Sequence, residues 1–284
     1  MIKKEEITSV EKVASDTQNL KAVNKAQIEV VGDEKIKSGI SNATKIVEEK
    51  SMDTAMQMLI VEGNKQNLTI SDTQQTLFEH FFSLVTEKNK VMNLTTILER
   101  EEFFVKHLVD SIIPQKYIKQ NATVLDLGCG GGFPSIPLKI VRPDLKITAM
   151  DATNKKIEFV KDAISELQLK NTNAITARAE EMGQGKERES FDVVVSRAVA
   201  SLTILMELAL PLVKIGGVFI AYKTNESESE NIEKALYTLG AVLDRSIVTQ
   251  LPNGDHRCLL IFKKIAKTNA SYPRNFGQMK KNPL

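Results

Sequence analysis

The chain has 284 residues and a net charge of +2, with 42% hydrophobic and 26% charged residues, an ordinary globular composition. It has no run of about 18 apolar residues, no signal core and no transit-peptide character, so neither a membrane span nor a targeting segment is expected. Its two cysteines, Cys129 and Cys258, make neither a disulfide framework nor a metal-ligand pattern, which fits a cytoplasmic protein without a metal site.

Residues 1–66 contain no aromatic, Pro, Arg, His or Cys, and carry 10 lysines against 11 acids. A segment so poor in large apolar side chains buries little surface, so an extension that is disordered or loosely helical is expected. Its best helical stretch is about 43–62, and a docking arm is the alternative reading. A helical part follows over 67–118. Ser71 with Gln74 reads as a capping box, and Leu77, Phe78, Phe81, Phe82 and Val85 recur at helical spacing. NLTT (93–96) interrupts the pattern. A second helix is predicted over about 97–113, with Pro114 ending it.

From 119 to 265 strands and helices alternate. The predicted strands are 123–128, 146–152, 173–179, 191–198 and 217–223, with helices such as 155–169 and 202–213 between them. Such alternation implies an α/β fold, a parallel sheet with helices on both faces. The chain then changes rhythm: VLDRSIVTQL, PNGD and HRCLLIFKKI predict a hairpin around Asn253-Gly254, hence an antiparallel pair at one sheet edge. Residues 266–284 form a basic tail. Over 256–284 there are 5 lysines, 2 arginines and no acid, which suggests an anionic macromolecular partner or a solvated terminus.

The chemistry gathers at TVLDLGCGGGFPSIPL (123–138). Against the dinucleotide fingerprint the loop fails at its last glycine, where Phe133 stands. Asp126, two residues before Gly128, is poorly placed beside a pyrophosphate. It suits S-adenosyl-L-methionine, which carries a sulfonium and an ammonium. Glycines such as Gly128 and Gly130 let the backbone approach such a ligand closely. Asp151, at the end of the next strand, is positioned to accept the ribose hydroxyls of an adenosine. A tight turn without ligand remains the plainer reading of the loop, and a dehydrogenase the competing enzyme.

Several separated motifs narrow this further. NLTT (93–96), HLVDSI (107–112), DLGCGGGFPSIPL (126–138), DATNKKIEFV (151–160), ARAEE (177–181), FDVVVSRAVASL (191–202) and YPR (272–274) occur in one order. With them the chain resembles the small-subunit ribosomal RNA methyltransferase G family, also called glucose-inhibited division protein B, over about 70–284. The resemblance implies a class I, Rossmann-like methyltransferase fold with a small helical N-terminal part. It implies S-adenosylmethionine as cofactor, and methylation of N7 of a guanine in 16S rRNA, in the small ribosomal subunit or its assembly intermediate. Carried over by motif, the family's cofactor contacts fall on Gly128 and Phe133, on Ala179 and Glu180 beside the adenine, and on Arg197. Ser135 stands where the family usually has glycine, and the extension over 1–66 is not a usual family feature.

Read without the family, the plainer alternatives are a core residue for Phe133, a solvated acid for Glu180 and a structural ion-pair partner for Arg197. His107, Asp110 and Ser111 share one helix face, serving either packing or substrate positioning. His80 and His256 are isolated. Guanine N7 is a lone pair without a proton, so no general base is needed, and no nucleophile–base constellation is present. Arg257, Lys263, Lys264, Lys267, Arg274, Lys280 and Lys281 are the candidate phosphate contacts, acting from a monomer. Another class I methyltransferase, or an RNA-binding factor on a retired fold, are the remaining alternatives.

Overall fold

The computed structural model describes residues 54–197, 200–225 and 232–284. Helix α1 covers 54–65, and α2 is Asp72–Asn89. Ser71 caps α2: its hydroxyl accepts the Gln74 N–H at 3.3 Å, and Gln74 Oε1 accepts the Ser71 N–H at 2.9 Å. Phe78, Phe81 and Val85 form its buried stripe.

The expected boundary at 66 does not hold as a change from loose to packed chain. Ala55, Met56 and Leu59 of α1 are buried in the same core as Phe78 and Phe81. The aromatic surface that α1 lacks is supplied by its neighbour, so three small or flexible apolar side chains suffice to dock it. The rest of the predicted extension, residues 1–53, lies outside the described residues.

The helix after NLTT is one continuous path of changing pitch. It starts as α-helix at Arg100–Phe103, widens to a π stretch at Phe104–Val109, returns to α at Asp110–Ile112 and tightens to a 3-10 turn at Ile113–Tyr117. We call this path α3. Pro114 does not end it. It sits at the start of the 3-10 turn, where a missing N–H costs nothing.

Seven strands follow: β1 Thr123–Leu127, β2 Lys146–Asp151, β3 Thr172–Thr176, β4 Phe191–Arg197, β5 Val213–Lys223, β6 Ala241–Gln250 and β7 His256–Lys264. They form one sheet in the order β3-β2-β1-β4-β5-β7-β6. β1 to β5 pair in parallel, and β7 runs antiparallel between β5 and β6, as the hairpin signal predicts. β5 begins four residues earlier than read from the sequence. Gly216, at φ 84°, and a register shift between Phe191 and Val193 let the strand absorb the Gly216-Gly217 pair.

The remaining helices are α4 Ser135–Val141, α5 Asn154–Glu166, α6 Ala179–Gln184, α7 Leu202–Ala209, α8 Glu233–Leu239 and α9 Phe276–Lys281. A 3-10 turn, Leu210–Leu212, continues α7 into β5. Strand alternation distributes the core over two faces. Val124, Ile147, Val193 and Val195 pack with α1 to α5, while Leu125, Leu127, Val194 and Phe219 pack with α6 to α9. The chain runs from β1 to β2 and β3 on one side, then crosses back to place β4 on the other side of β1. This switch point, at the carboxyl ends of β1 and β4, is where open α/β sheets bind ligands. Among the described residues, no helix is long and apolar enough to cross a membrane.

Candidate cofactor site

The loop after β1 is shaped by two devices. Gly128, Gly130 and Gly132 all take positive φ. At Gly132 the need is also steric, since an added Cβ would stand 2.7 Å from the Ile136 side chain. Gly130 has open space where a Cβ would be, so its backbone is exposed toward an approaching ligand. The second device is Asp151, at the end of β2. Its carboxylate accepts the Gly130 N–H at 3.1 Å and the Thr153 N–H at 2.8 Å. Each oxygen keeps acceptor capacity for a further donor.

A cavity of about 480 Å³ opens above this loop, at the switch point. Gly128, Gly130, Phe133, Asp151, Ala179, Glu180 and Arg197 all line it. The structure therefore brings together seven of the eight residues read from the sequence. Asp126 is the exception, and here the reading is corrected. Alternation along β1 turns Asp126 to the same face as Val124, beneath the glycine loop, where it is fully buried and accepts the Ser135 N–H at 2.9 Å. Its other oxygen has no hydrogen-bond partner. Burial pushes its carboxyl up to about 7, against the lowering effect of the Ser135 hydrogen bond and of Arg197. Asp126 thus supports the loop from behind and does not line the cavity.

Leu94, His107, Lys156 and Phe276 line the cavity without having been chosen from the sequence as cofactor contacts. Leu94 belongs to NLTT, which was noted as a motif and carries no titratable group that would mark a site. His107 connects several parts of the site. Its ring stacks on Phe133 at 4.2 Å between centroids, and its Nδ1 accepts from Arg197 Nη2 at 3.2 Å. Arginine only donates, so the imidazole proton sits on Nε2, which donates to Thr95 Oγ1 at 2.7 Å. Burial, helped by the charges of Arg197 and Lys106, lowers His107 to about 3. The ring is neutral at physiological pH.

Arg197 is held from three sides. It donates to the Lys106 carbonyl at 3.1 Å and to Asp110 Oδ2 at 3.0 Å, and its guanidinium lies 5.4 Å from the Phe133 ring centroid. Arg257 donates to the other Asp110 oxygen at 3.1 Å. Arg257 also lies 3.8 Å from Asp255, so the two arginines face two carboxylates, of which Asp110 is buried between them. The π stretch in α3 places the Lys106 carbonyl, His107 and Asp110 against one guanidinium. Of the two alternatives for His107 and Asp110, packing and substrate positioning, these contacts are packing of α3 against Arg197 at the end of β4. A second cavity, of about 390 Å³, shares His107 and Arg197 with the first and is otherwise lined by Lys106, Asp110, Lys223 and Arg257 among others.

Cys129 lines the main cavity but burial drives its pKa well up, and Cys258 is buried. Among the described residues no cluster of His, Cys, Asp or Glu is set to hold a metal ion. His80 and His256 are exposed and line neither cavity. The basic end also needs correction. Lys264 is fully buried, donating to the Leu210 carbonyl at 2.8 Å and to Thr268. Arg257 is paired as described, and Arg274 forms a forked pair with the buried Glu207, at 2.8 and 2.6 Å. Lys263, Lys267, Lys280 and Lys281 are exposed.

Residues 74–253 match the family model described as GidB, rRNA small subunit methyltransferase G. The ribosomal RNA small subunit methyltransferase G of Staphylococcus haemolyticus is 42% identical over 235 residues, covering 81% of this chain and 98% of the relative. That of Lactobacillus helveticus is 42% identical over 233 residues, covering 79% and 97%. Among solved structures, TYW2 of M. jannaschii in complex with AdoMet aligns over 55% of this chain and 73% of its own, at 18% identity and a TM-score of 0.45. The fold, the switch-point cavity and the sequence match converge: this chain belongs to the rRNA small subunit methyltransferase G family, class I methyltransferases that use S-adenosylmethionine to methylate ribosomal RNA.

Proposed function

We propose that this protein methylates N7 of a guanine in 16S rRNA by direct in-line attack, with no general base. The observation that carries this reading is the junction of the two cavities at His107 and Arg197. S-adenosylmethionine, when bound, supplies an electrophilic methyl group on a sulfonium. Gly128 and Gly130 offer backbone to its methionine part, Asp151 has spare acceptor capacity for its ribose, and Ala179 and Glu180 stand where its adenine belongs.

Guanine N7 attacks with an in-plane lone pair and loses no proton. The junction is built accordingly. His107 is neutral and both its nitrogens are engaged, so it is not poised to take a proton near pH 7. What the residues contribute is alignment and exclusion of water. Phe133 and His107 form a stacked apolar floor, and Arg197, locked by Asp110 and the Lys106 carbonyl, fixes the wall between the cavities. The second cavity, with Lys106, Lys223 and Arg257 along it, accepts the nucleotide side, and the exposed Lys263, Lys267, Lys280 and Lys281 contact RNA phosphates.

The test is base-resolved mapping of methylated guanines in 16S rRNA from cells with and without the protein, paired with methyl transfer in vitro to naked rRNA and to small subunits. One guanine should lose N7 methylation when the protein is absent. An unchanged methylation map, with no transfer to either RNA form, would falsify the reading.

A further inference from the structure

The C-terminal segment reads as a loose basic tail, yet the molecule fastens it closely. Gln184, at the end of α6, donates to the carbonyls of Ala270 (3.1 Å) and Pro273 (3.0 Å). Arg188 donates to the carbonyls of Tyr272 and Thr268, both at 2.7 Å. Pro273 packs so near Gly183 that a Cβ there would stand 2.8 Å from its ring. Arg274 is forked onto Glu207 of α7, and Met279 is fully buried. All these anchors belong to α6, the turn after it, and α7.

That location matters because α6 opens with Ala179 and Glu180, on the wall of the main cavity. An acid at the end of the second strand takes the ribose, so the base of an adenosine lies beyond Asp151, toward Ala177–Glu180. The Ala177–Glu180 stretch itself contributes Arg178 and small or acidic side chains to the lining and no aromatic ring. The cavity's other rings, Phe133 and His107, are stacked on each other. Phe276 begins α9 directly after the anchored stretch. It lines the cavity and remains 40% exposed, although Met279 in the same short helix is fully buried.

We infer that Phe276 is a cofactor-binding residue, the aromatic face against which the adenine of S-adenosylmethionine stacks, delivered to the cavity by the C-terminal segment. An aromatic ring kept in place by anchors on both sides and left uncovered suits a flat π ligand. The inference depends on the cofactor assignment and is independent of which RNA base is methylated.

The experiment titrates S-adenosylhomocysteine, and separately adenosine, into the full-length protein by calorimetry without RNA. Phe276→Ala should weaken both ligands about tenfold, Phe276→Leu by an intermediate factor, and Phe276→Tyr by less than about twofold. Lys280→Ala with Lys281→Ala should leave both affinities unchanged. Wild-type affinity in Phe276→Ala overturns the inference, as does equal loss in Phe276→Ala and Phe276→Tyr, which would mark a packing role. Failure of the wild-type protein to bind S-adenosylhomocysteine would strike the cofactor assignment itself.

Discussion

The glycine loop and the basic C-terminal segment stand out equally in the sequence, and they behave differently in the fold. The loop's chemistry is local. Gly128 to Phe133 are consecutive, their geometry follows from glycine's freedom at positive φ, and their acidic partner Asp151 is one strand away. The segment's charges are answered at long range. Arg257 finds Asp110 and Arg274 finds Glu207, partners 147 and 67 positions away in sequence. A run of cations without acids is therefore a poor measure of available charge. In this molecule Arg257, Lys264 and Arg274 are paired within the fold, while Lys263, Lys267, Lys280 and Lys281 are exposed.

The sharpest way to break this contrast is at Arg274. Arg274→Ala leaves the Glu207 carboxylate, which is 1% exposed, without its charge partner and with only the backbone N–H of residue 274. Removing one member of such a pair costs about 3 kcal/mol. Denaturant unfolding should show that loss, accompanied by weaker cofactor binding as the segment bearing Phe276 loosens. If Arg274→Ala keeps wild-type stability and loses only RNA affinity, Arg274 is a phosphate contact after all.

Arg197 tests the other region. Arg197→Ala removes the donor to His107 Nδ1 and one of the two arginines on Asp110. Misplacing a positioning wall in this way should reduce methyl transfer about 100-fold. It should also raise the His107 pKa from its present value of about 3, because Arg197 is the principal charge holding it down after burial. NMR titration of the imidazole reads this directly. An unmoved His107 with reduced activity would mean that Arg197 acts on the substrate alone.

Asp126 carries a prediction in pH. Its folded pKa of about 7 lies above its ordinary 3.8, so between those values the native state keeps a proton that the unfolded chain has released. Stability from this group is therefore present at low pH and lost as pH rises through 7. His107, lowered from 6.5 to about 3, works in the opposite sense, its contribution being lost as pH falls from 6.5 toward 3. The two partly offset each other in the wild-type protein, so the variant is read relative to it. Asp126→Asn should gain roughly 2–3 kcal/mol on wild type between pH 5 and pH 8. A difference that does not change with pH would mean that Asp126 stays ionised.

These cases also show what was legible in the sequence. The strand–helix alternation, the Asn253-Gly254 hairpin and the capping box at Ser71 rest on local chemistry, and the fold follows them. Gly128, Gly130 and Asp151 were legible for the same reason. Asp126 was misplaced because spacing says how near an acid is to a loop, whereas the side of the sheet it faces depends on what covers that side. His107 and Asp110 were visible as a pair, but the π stretch that sets them on Arg197 leaves no periodic trace in six residues. Phe276 carried no signal at all, since it reaches the cavity only through anchors made by Gln184, Arg188 and Glu207.

The smallest expected effect is also the cleanest test of the contrast between the two regions. Lys280 and Lys281 end α9 and are exposed, and neither has an ion-pair partner among the described residues. If they meet RNA, they do so as point charges on phosphates, and each contact releases counterions. Lys280→Ala with Lys281→Ala should then leave folding stability within about 0.5 kcal/mol of wild type. The slope of log affinity for single-stranded RNA against log salt should become shallower by about 1.4, some 0.7 per lost contact. A filter-binding series over several salt concentrations measures this slope, and a single affinity at one salt does not. An unchanged slope would remove the last two lysines from the RNA face and leave Lys263 and Lys267, on the β7 side, to carry it. A changed slope with intact cofactor affinity would separate the segment's two tasks: anchoring Phe276 through buried charge, and meeting RNA through exposed charge.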